Sequence, residues 1–150
     1  MKNILIGLIL IFNFINMVWA DQKEILDYRK LAEEAFQNKD YDKSIEFYKR
    51  LIKIDEKHAW AHYMLGRIYG EKGDWDNCIF YSKKAIELDP NNFRPYGNLG
   101  WALTEKNQID EGINFLKEAI RLNPESAAVH NKLGYAYLKN GIDYLEPSHP

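Results

Sequence analysis

Apolar residues recur along this chain with a helical period, and the helices they mark come in pairs. The stretch from Ala59 to Leu88 shows the pattern most clearly. Tyr63, Leu65, Ile68 and Tyr69 fall near 3.6-residue spacing, and Gly73 permits a turn. Ile79, Phe80, Ala85, Ile86 and Leu88 then mark a second helix that Pro90 ends. Asp74 is expected to cap that second helix, because a side-chain oxygen can accept from the free amides of a first turn. The same pattern predicts helices over 24–37, 41–54, 59–71, 75–88, 93–106, 109–122 and 127–139. Ser126 is expected to cap the last, and Pro95 is tolerated in a first turn, where its missing N–H costs nothing.

These pairs repeat one another at a spacing of 34 residues. Leu31, Leu65, Leu99 and Leu133 form one column, and Ala32, Gly66, Gly100 and Gly134 form the next. Further columns hold Ser44, Cys78 and Gly112; Ile45, Ile79 and Ile113; Leu51, Ala85 and Ala119; and Ile52, Ile86 and Ile120. A fixed period without insertion marks a stacked array, in which a single pair cannot bury its own apolar face and leans on its neighbours. Gly66 and Gly100 lie inside helices, where each costs about 1 kcal/mol against alanine. They are expected where the paired helix crosses, opposite Cys78 and Gly112. The fourth copy is half present. Helix 127–139 is expected to cap the last pair, leaving Leu138 and Tyr144 more exposed than their upstream counterparts. Asp143-Tyr144 would be the stub of a further helix, ended by Pro147; a truncated longer array is the other reading of the same residues.

Residue by residue, the unit resembles a tetratricopeptide (TPR) repeat. The pattern stands here as Leu65-Gly66, Tyr69, Gly73-Asp74-Trp75, Ala85 and Pro90, and again as Tyr96, Leu99-Gly100, Ala119 and Pro124. His62 replaces the usual aromatic before Leu-Gly. The first copy departs further, with Glu56 in place of proline and Leu51 in place of alanine. The resemblance covers residues 25 to about 141. It implies an all-α fold, an α-solenoid of three TPR helix pairs plus a C-terminal capping helix. The implied repeats are 25–58, 59–92, 93–126 and a half-repeat at 127–141, followed by a tail at 142–150.

The first twenty residues follow a different pattern. Lys2 opens them, an apolar run extends from Ile4 to about Ile15, and Val18-Trp19-Ala20 offers a cut site. This is the layout of a secretory signal peptide, with cleavage expected after Ala20 and the repeat domain beginning at residue 21. The run is shorter than the roughly 20 apolar residues of a spanning helix, and Asn13 and Asn16 interrupt it. No cysteine follows the cut, so a bacterial lipoprotein is not indicated. The expected location is outside the cytoplasm, in a bacterial periplasm. The alternative is a membrane-anchored protein facing the periplasm through an uncleaved amino terminus.

Composition narrows the chemistry. The chain is 46% hydrophobic and 28% charged over 150 residues, ordinary for one globular domain. Without Lys2 it carries 19 basic against 22 acidic residues, a balance poorly suited to neutralising phosphates, so no nucleic-acid partner is expected. Cys78 is the single cysteine, which leaves no intrachain disulfide, and its small-residue column assigns it to packing. There is no glycine-rich phosphate loop, no HExxH, no nucleophile elbow and no paired-cysteine metal motif. His58 and His62 are four apart, a spacing that presents two ligands to one metal. No third ligand accompanies them, and His62 shares a column with Tyr28, Tyr96 and His130, which assigns it to helix packing. No cofactor, no metal, no small-molecule substrate and no catalysis are expected.

What remains is a surface for a protein or peptide partner. In the proteins this chain resembles, the first helix of every pair lines the concave side and binds peptides. Carried onto this sequence, the candidates are Arg29, Glu33, Trp60, Tyr63, Arg67, Arg94, Asn98, Trp101, Asn131 and Tyr135. Asparagine can bind a peptide backbone in any sequence, while aromatics and arginine are the usual hot-spot residues. Tyr63 and Tyr135 equally suit helix contacts. Some TPR proteins clamp a terminal carboxylate with a lysine, asparagine and arginine set. Glu33, Met64 and Trp101 fall where asparagines would be needed, so an acidic chaperone tail is not the expected ligand. The leading expectation is an exported, non-catalytic interaction module; the alternative is a membrane-anchored assembly factor or scaffold.

Overall fold

A computed structural model of the chain describes residues 2–141, and every regular element in that range is an α-helix. The helices are α1 (Lys2–Gln37), α2 (Tyr41–Ile54), α3 (Ala59–Glu71), α4 (Trp75–Leu88), α5 (Phe93–Glu105), α6 (Ile109–Leu122) and α7 (Ala127–Lys139). From α2 onward each lies within one residue of its expected position. The tail at 142–150, with the expected stub at Asp143 and Tyr144, lies outside the described residues. The chain divides into two compact units, Met1–Glu56 and Lys57–Pro150. The first holds the pair α1–α2. The second holds the pairs α3–α4 and α5–α6 together with α7.

The one large difference from expectation is α1, which runs through the boundary at Ala20 without a break. Nothing between Ile15 and Glu24 stops it, since that stretch contains neither proline nor glycine. Its first half exposes Ile9, Leu10, Ile11, Phe12 and Phe14 in near succession, so apolar side chains surround the helix rather than forming a stripe. Among the described residues, no helix is long and apolar enough to cross a membrane.

Each pair is joined by the same turn. Lys39, Gly73 and Asn107 in those turns, and Gly141 after α7, all adopt positive φ, between 58° and 73°. The next amide reaches back to close the first helix of the pair, with Asp40 N–H donating to Ala35 O, Asp74 to Tyr69 O and Gln108 to Leu103 O, each at 2.9 Å. Asp74 then caps α4 as expected, accepting from Asn77 N–H at 3.1 Å, and Asp40 caps α2. Ser126 occupies the cap position of α7, but its hydroxyl makes no capping bond. The amides of Val129 and His130 are taken by the Ser126 carbonyl instead.

Small residues set the spacing within pairs. A Cβ on Gly100 would lie 2.7 Å from both Gly112 O and Leu116 Cγ, closer than real contacts allow. A Cβ on Gly66 would meet Ser82 Oγ at 2.7 Å and the Cys78 carbonyl at 3.4 Å, so Ser82 rather than Cys78 is the residue that crosses it most closely. In the first unit the same columns hold Ala32 and Ser44, and the buried Ser44 hydroxyl donates to Ala32 O at 2.8 Å. Leu65, Leu99 and Leu133 are buried, whereas Leu31 in the first unit is 42% exposed.

In the second unit the pairs stack in series. α4 packs on α5, and α6 on α7. The last core layer joins Ile113, Leu116 and Ala119 of α6 to Val129, Leu133 and Ala136 of α7. Polar links tie each pair to the next: Lys106 pairs with Asp76, and Asn140 Nδ2 donates to Asp110 at 3.1 Å. These links are exposed and contribute little individually. α7 ends the described stack. Among the described residues nothing lies within 4 Å of a Cβ built on Gly134, and Leu138 is 71% exposed, as its place in a half-repeat predicts.

The glycines therefore separate by test. Gly100→Leu is expected to cost about 2–3 kcal/mol through overpacking, while Gly134→Ala gains up to about 1 kcal/mol of helix propensity. Denaturant melts of both variants check this, and an unchanged midpoint for Gly100→Leu contradicts it. Cys78 is buried, and that burial pushes its thiol up to about 11, so it stays protonated at neutral pH. It is expected to resist an aromatic disulfide reagent at mildly basic pH in the folded chain and to react fully in guanidinium chloride.

Candidate functional site

Stacking brings the first helices of successive pairs side by side, α3 beside α5 and α5 beside α7. Between them lies a groove of about 540 Å³. Its lining mixes aromatic groups (Tyr63, Phe93, Trp101) with cations (Arg67, Arg94, Lys132) and the amide of Asn98. Gly70 and Gly97 also line it, and a Cβ on either would press at 3.3 Å against Cys78 Sγ or Val129 Cγ2, so both let neighbouring helices approach closely. The placement follows from sequence locally. Arg67 lies four residues from Tyr63, and Trp101 lies three from Asn98, so each pair shares a face of its helix.

Five of the ten sequence-predicted residues line this groove: Tyr63, Arg67, Arg94, Asn98 and Trp101. Tyr63 also serves packing, being 5% exposed with its ring centroid 4.9 Å from that of Trp60. Trp60 is half-buried outside the lining, and its indole N–H is buried without a hydrogen-bond acceptor. Tyr135 lies outside the lining too, but its ring packs 4.9 Å from Trp101 and fixes one wall. Asn131 is exposed and does not line the groove. Arg29 and Glu33 belong to α1 in the first unit, where they pair with each other at 2.9 Å.

Lys132 is the residue that sequence reasoning missed. It stands 34 residues after Asn98, so the repeat register that aims Asn98 into the groove aims Lys132 there as well. Its ammonium donates to Asn98 Oδ1 at 3.3 Å, and the Asn98 Nδ2 is buried with no acceptor. Burial pushes the Lys132 ammonium below the usual lysine range; Cys78 and Glu71 pull it partly back, and Arg67 adds to the depression.

The two histidines do separate jobs. His58 Nδ1 accepts from Ala61 N–H at 3.2 Å and caps α3, while His62 is buried with its ring 6.1 Å from Tyr81. Among the described residues, no group of three or more histidine, cysteine or carboxylate side chains is placed to hold a metal.

Comparison with known proteins agrees with this arrangement. A family model described as TPR repeat matches residues 32–73 and 100–141, and two described as tetratricopeptide repeat match 59–92 and 81–114. No curated protein matches the chain. Among solved structures, it is similar to an O-GlcNAc transferase mutant from Thermobaculum terrenum, at 28% identity and a TM-score of 0.74 over 78% of this chain. The chain spans only 22% of that transferase chain. It also resembles the second TPR domain of human RPAP3, solved in complex with the HSP70 peptide SGPTIEEVD, at 18% identity and a TM-score of 0.73 over 77% of this chain and 97% of that one. A third is MamA from Desulfovibrio magneticus, at 20% identity and a TM-score of 0.73 over 78% of this chain and 66% of that one. Helix pairs at a fixed period, small residues at each crossing and family matches over most of the described residues converge, and the chain belongs to the tetratricopeptide repeat family.

Proposed function

We propose that this protein is an exported, non-catalytic interaction module whose α3–α5–α7 groove receives an extended segment of a partner protein. The groove itself carries the reading: its volume lies within the range of ligand-binding clefts, and its walls join aromatic contact area to fixed donors. Tyr63, Phe93 and Trp101 supply area at low entropic cost, since each has only two side-chain torsions to order. Arg67, Arg94 and Lys132 oppose Glu71, the one carboxylate among the described lining residues, so the groove favours an acidic or neutral segment. The peptide in the RPAP3 complex supports a protein segment as the class of occupant. Arg29 and Glu33 satisfy each other on α1, which makes them weaker candidates than the groove residues.

Export rests on the first twenty residues. Ile9, Leu10, Ile11, Phe12, Phe14 and Trp19 are exposed, as suits a segment read by the secretion machinery and then removed. The anchored alternative uses the same segment uncleaved.

Two measurements test the proposal. Crosslinking in the native envelope is expected to capture a partner with wild type and with Lys83→Ala, an exposed change on α4. Capture should fall about tenfold with Arg94→Ala plus Trp101→Ala, the loss of two hot-spot side chains. Equal capture by the double variant, with its melting midpoint retained, removes the groove from the function. The mass of the protein recovered from the producing cell is expected to lack residues 1–20; full length in the membrane fraction selects the anchored form.

A further inference from the structure

A second cleft, of about 440 Å³, opens in the first unit between α1 and the last turns of α2. Glu24 and Tyr28 line it from α1; Arg50, Lys53 and Ile54 line it from α2. The Tyr28–Arg50 wall is ordered. The Tyr28 ring stacks on Phe47 with centroids 6.1 Å apart, and the Arg50 guanidinium lies 5.6 Å from the Tyr28 centroid. Arg50 Nη2 pairs with Glu46 at 2.6 Å, and Nη1 donates to Tyr28 Oη at 3.4 Å, which leaves the Tyr28 hydrogen to donate into the cleft. Glu24 and Lys53 are in a different state. They line one cleft with opposite charges, yet no ion pair joins them to each other or to another described residue. An occupant bearing both charges, an anion for Lys53 and Tyr28 and an ammonium for Glu24, satisfies them together.

What adjoins the cleft selects the source of that occupant. α1 runs unbroken from the exposed apolar side chains of Ile9, Phe12 and Trp19 into the cleft wall. Glu24 stands five residues past Trp19, about 7–8 Å along the helix. The polar layer on each side of a bilayer is roughly 5–8 Å deep. Lipid around the apolar end of α1 therefore brings its headgroups to the level of Glu24 and Lys53, without the helix having to cross. We infer that this cleft holds a phosphoethanolamine headgroup, its phosphate against Lys53 and the Tyr28 hydroxyl and its ammonium against Glu24. The inference rests on the anchored form of the proposal, with residues 1–20 retained, and deepens it by naming the lipid. A primary ammonium donates hydrogen bonds to a carboxylate, and a quaternary one has none to give. Tyr28 is the one ring among the described lining residues, and Phe47 and Arg50 already engage it, so the aromatic cage that suits choline is missing. An anionic headgroup without an ammonium meets the Glu24 charge unopposed.

The full chain is floated with vesicles of phosphatidylcholine alone, or of phosphatidylcholine mixed with phosphatidylethanolamine or with phosphatidylglycerol. All three are expected to retain it through α1. The phosphatidylethanolamine mixture should hold it about tenfold more tightly, as for the gain of one charged hydrogen bond. Glu24→Gln and Lys53→Met should each abolish that preference with the melting midpoint retained, while Lys83→Met on α4 keeps it. A preference that survives in both variants overturns the cleft as its source. Equally tight binding to the phosphatidylglycerol mixture overturns the zwitterionic assignment. Soluble O-phosphoethanolamine binding as tightly as the mixed vesicles overturns the lipid assignment in favour of a free ester. If the vesicles retain the chain without discriminating, the anchor stands and the headgroup site falls; if none retains it, both fall.

Discussion

The second unit depends on how closely two helices of a pair can approach. Gly100 and Gly112 bring α5 and α6 together until backbone meets side chain, with no space left for a methyl group at either position. This contact is short-ranged and steep, because overlap costs rise sharply once atoms are pressed inside van der Waals distance. It fixes the separation of a pair, and the apolar columns on the outer faces then stack one pair on the next. The groove is a consequence. First helices end up adjacent because second helices are held behind them, and the side chains that no neighbour covers line the gap.

Different residues meet the same constraint. Ala32 and Ser44 fill the crossing of the first unit, where the serine hydroxyl finds a carbonyl acceptor and so carries no desolvation penalty. Ser82 closes the crossing at Gly66, and Thr104 donates to the Gly100 carbonyl at 2.9 Å. What recurs is small volume rather than one residue type. The turns show the same economy. Gly73 and Gly141 enter positive φ freely, while Lys39 and Asn107 hold it because the following amide bond and the start of the next helix require it. At α7 the described residues impose no such constraint, since none lies within 4 Å of a Cβ built on Gly134.

The groove, like the crossing at Gly66 where the Ser82 hydroxyl is buried without a hydrogen-bond partner, carries an unsatisfied polar group. A stable core would pair Lys132 or replace it with an apolar side chain at little cost. Here a desolvated ammonium and an idle amide donor share a lining with Val129, Phe93 and Trp101. The aromatic wall is itself ordered, with Trp101 held against Tyr135, so little rotamer freedom is lost on contact.

Much of this was legible in the sequence, because its main signals are periodic. The 34-residue spacing marked Leu65, Leu99 and Leu133 as core, placed the turns, and located six helices to within a residue. Local rules such as capping at Asp74 and arrest at Pro90 act over a few residues and need no tertiary information. Faces were legible too, which is why Arg67, Asn98 and Trp101 could be named as groove residues. Tertiary structure decided matters that depend on distance between helices. It seated Ser82 rather than Cys78 over Gly66, left Trp60 and Asn131 outside the groove, turned His58 into a cap, and carried α1 through Ala20. It alone showed Lys132 desolvated beside an unfilled Asn98 donor, because burial and hydrogen bonding are properties of neighbours that packing assembles and no column of letters records.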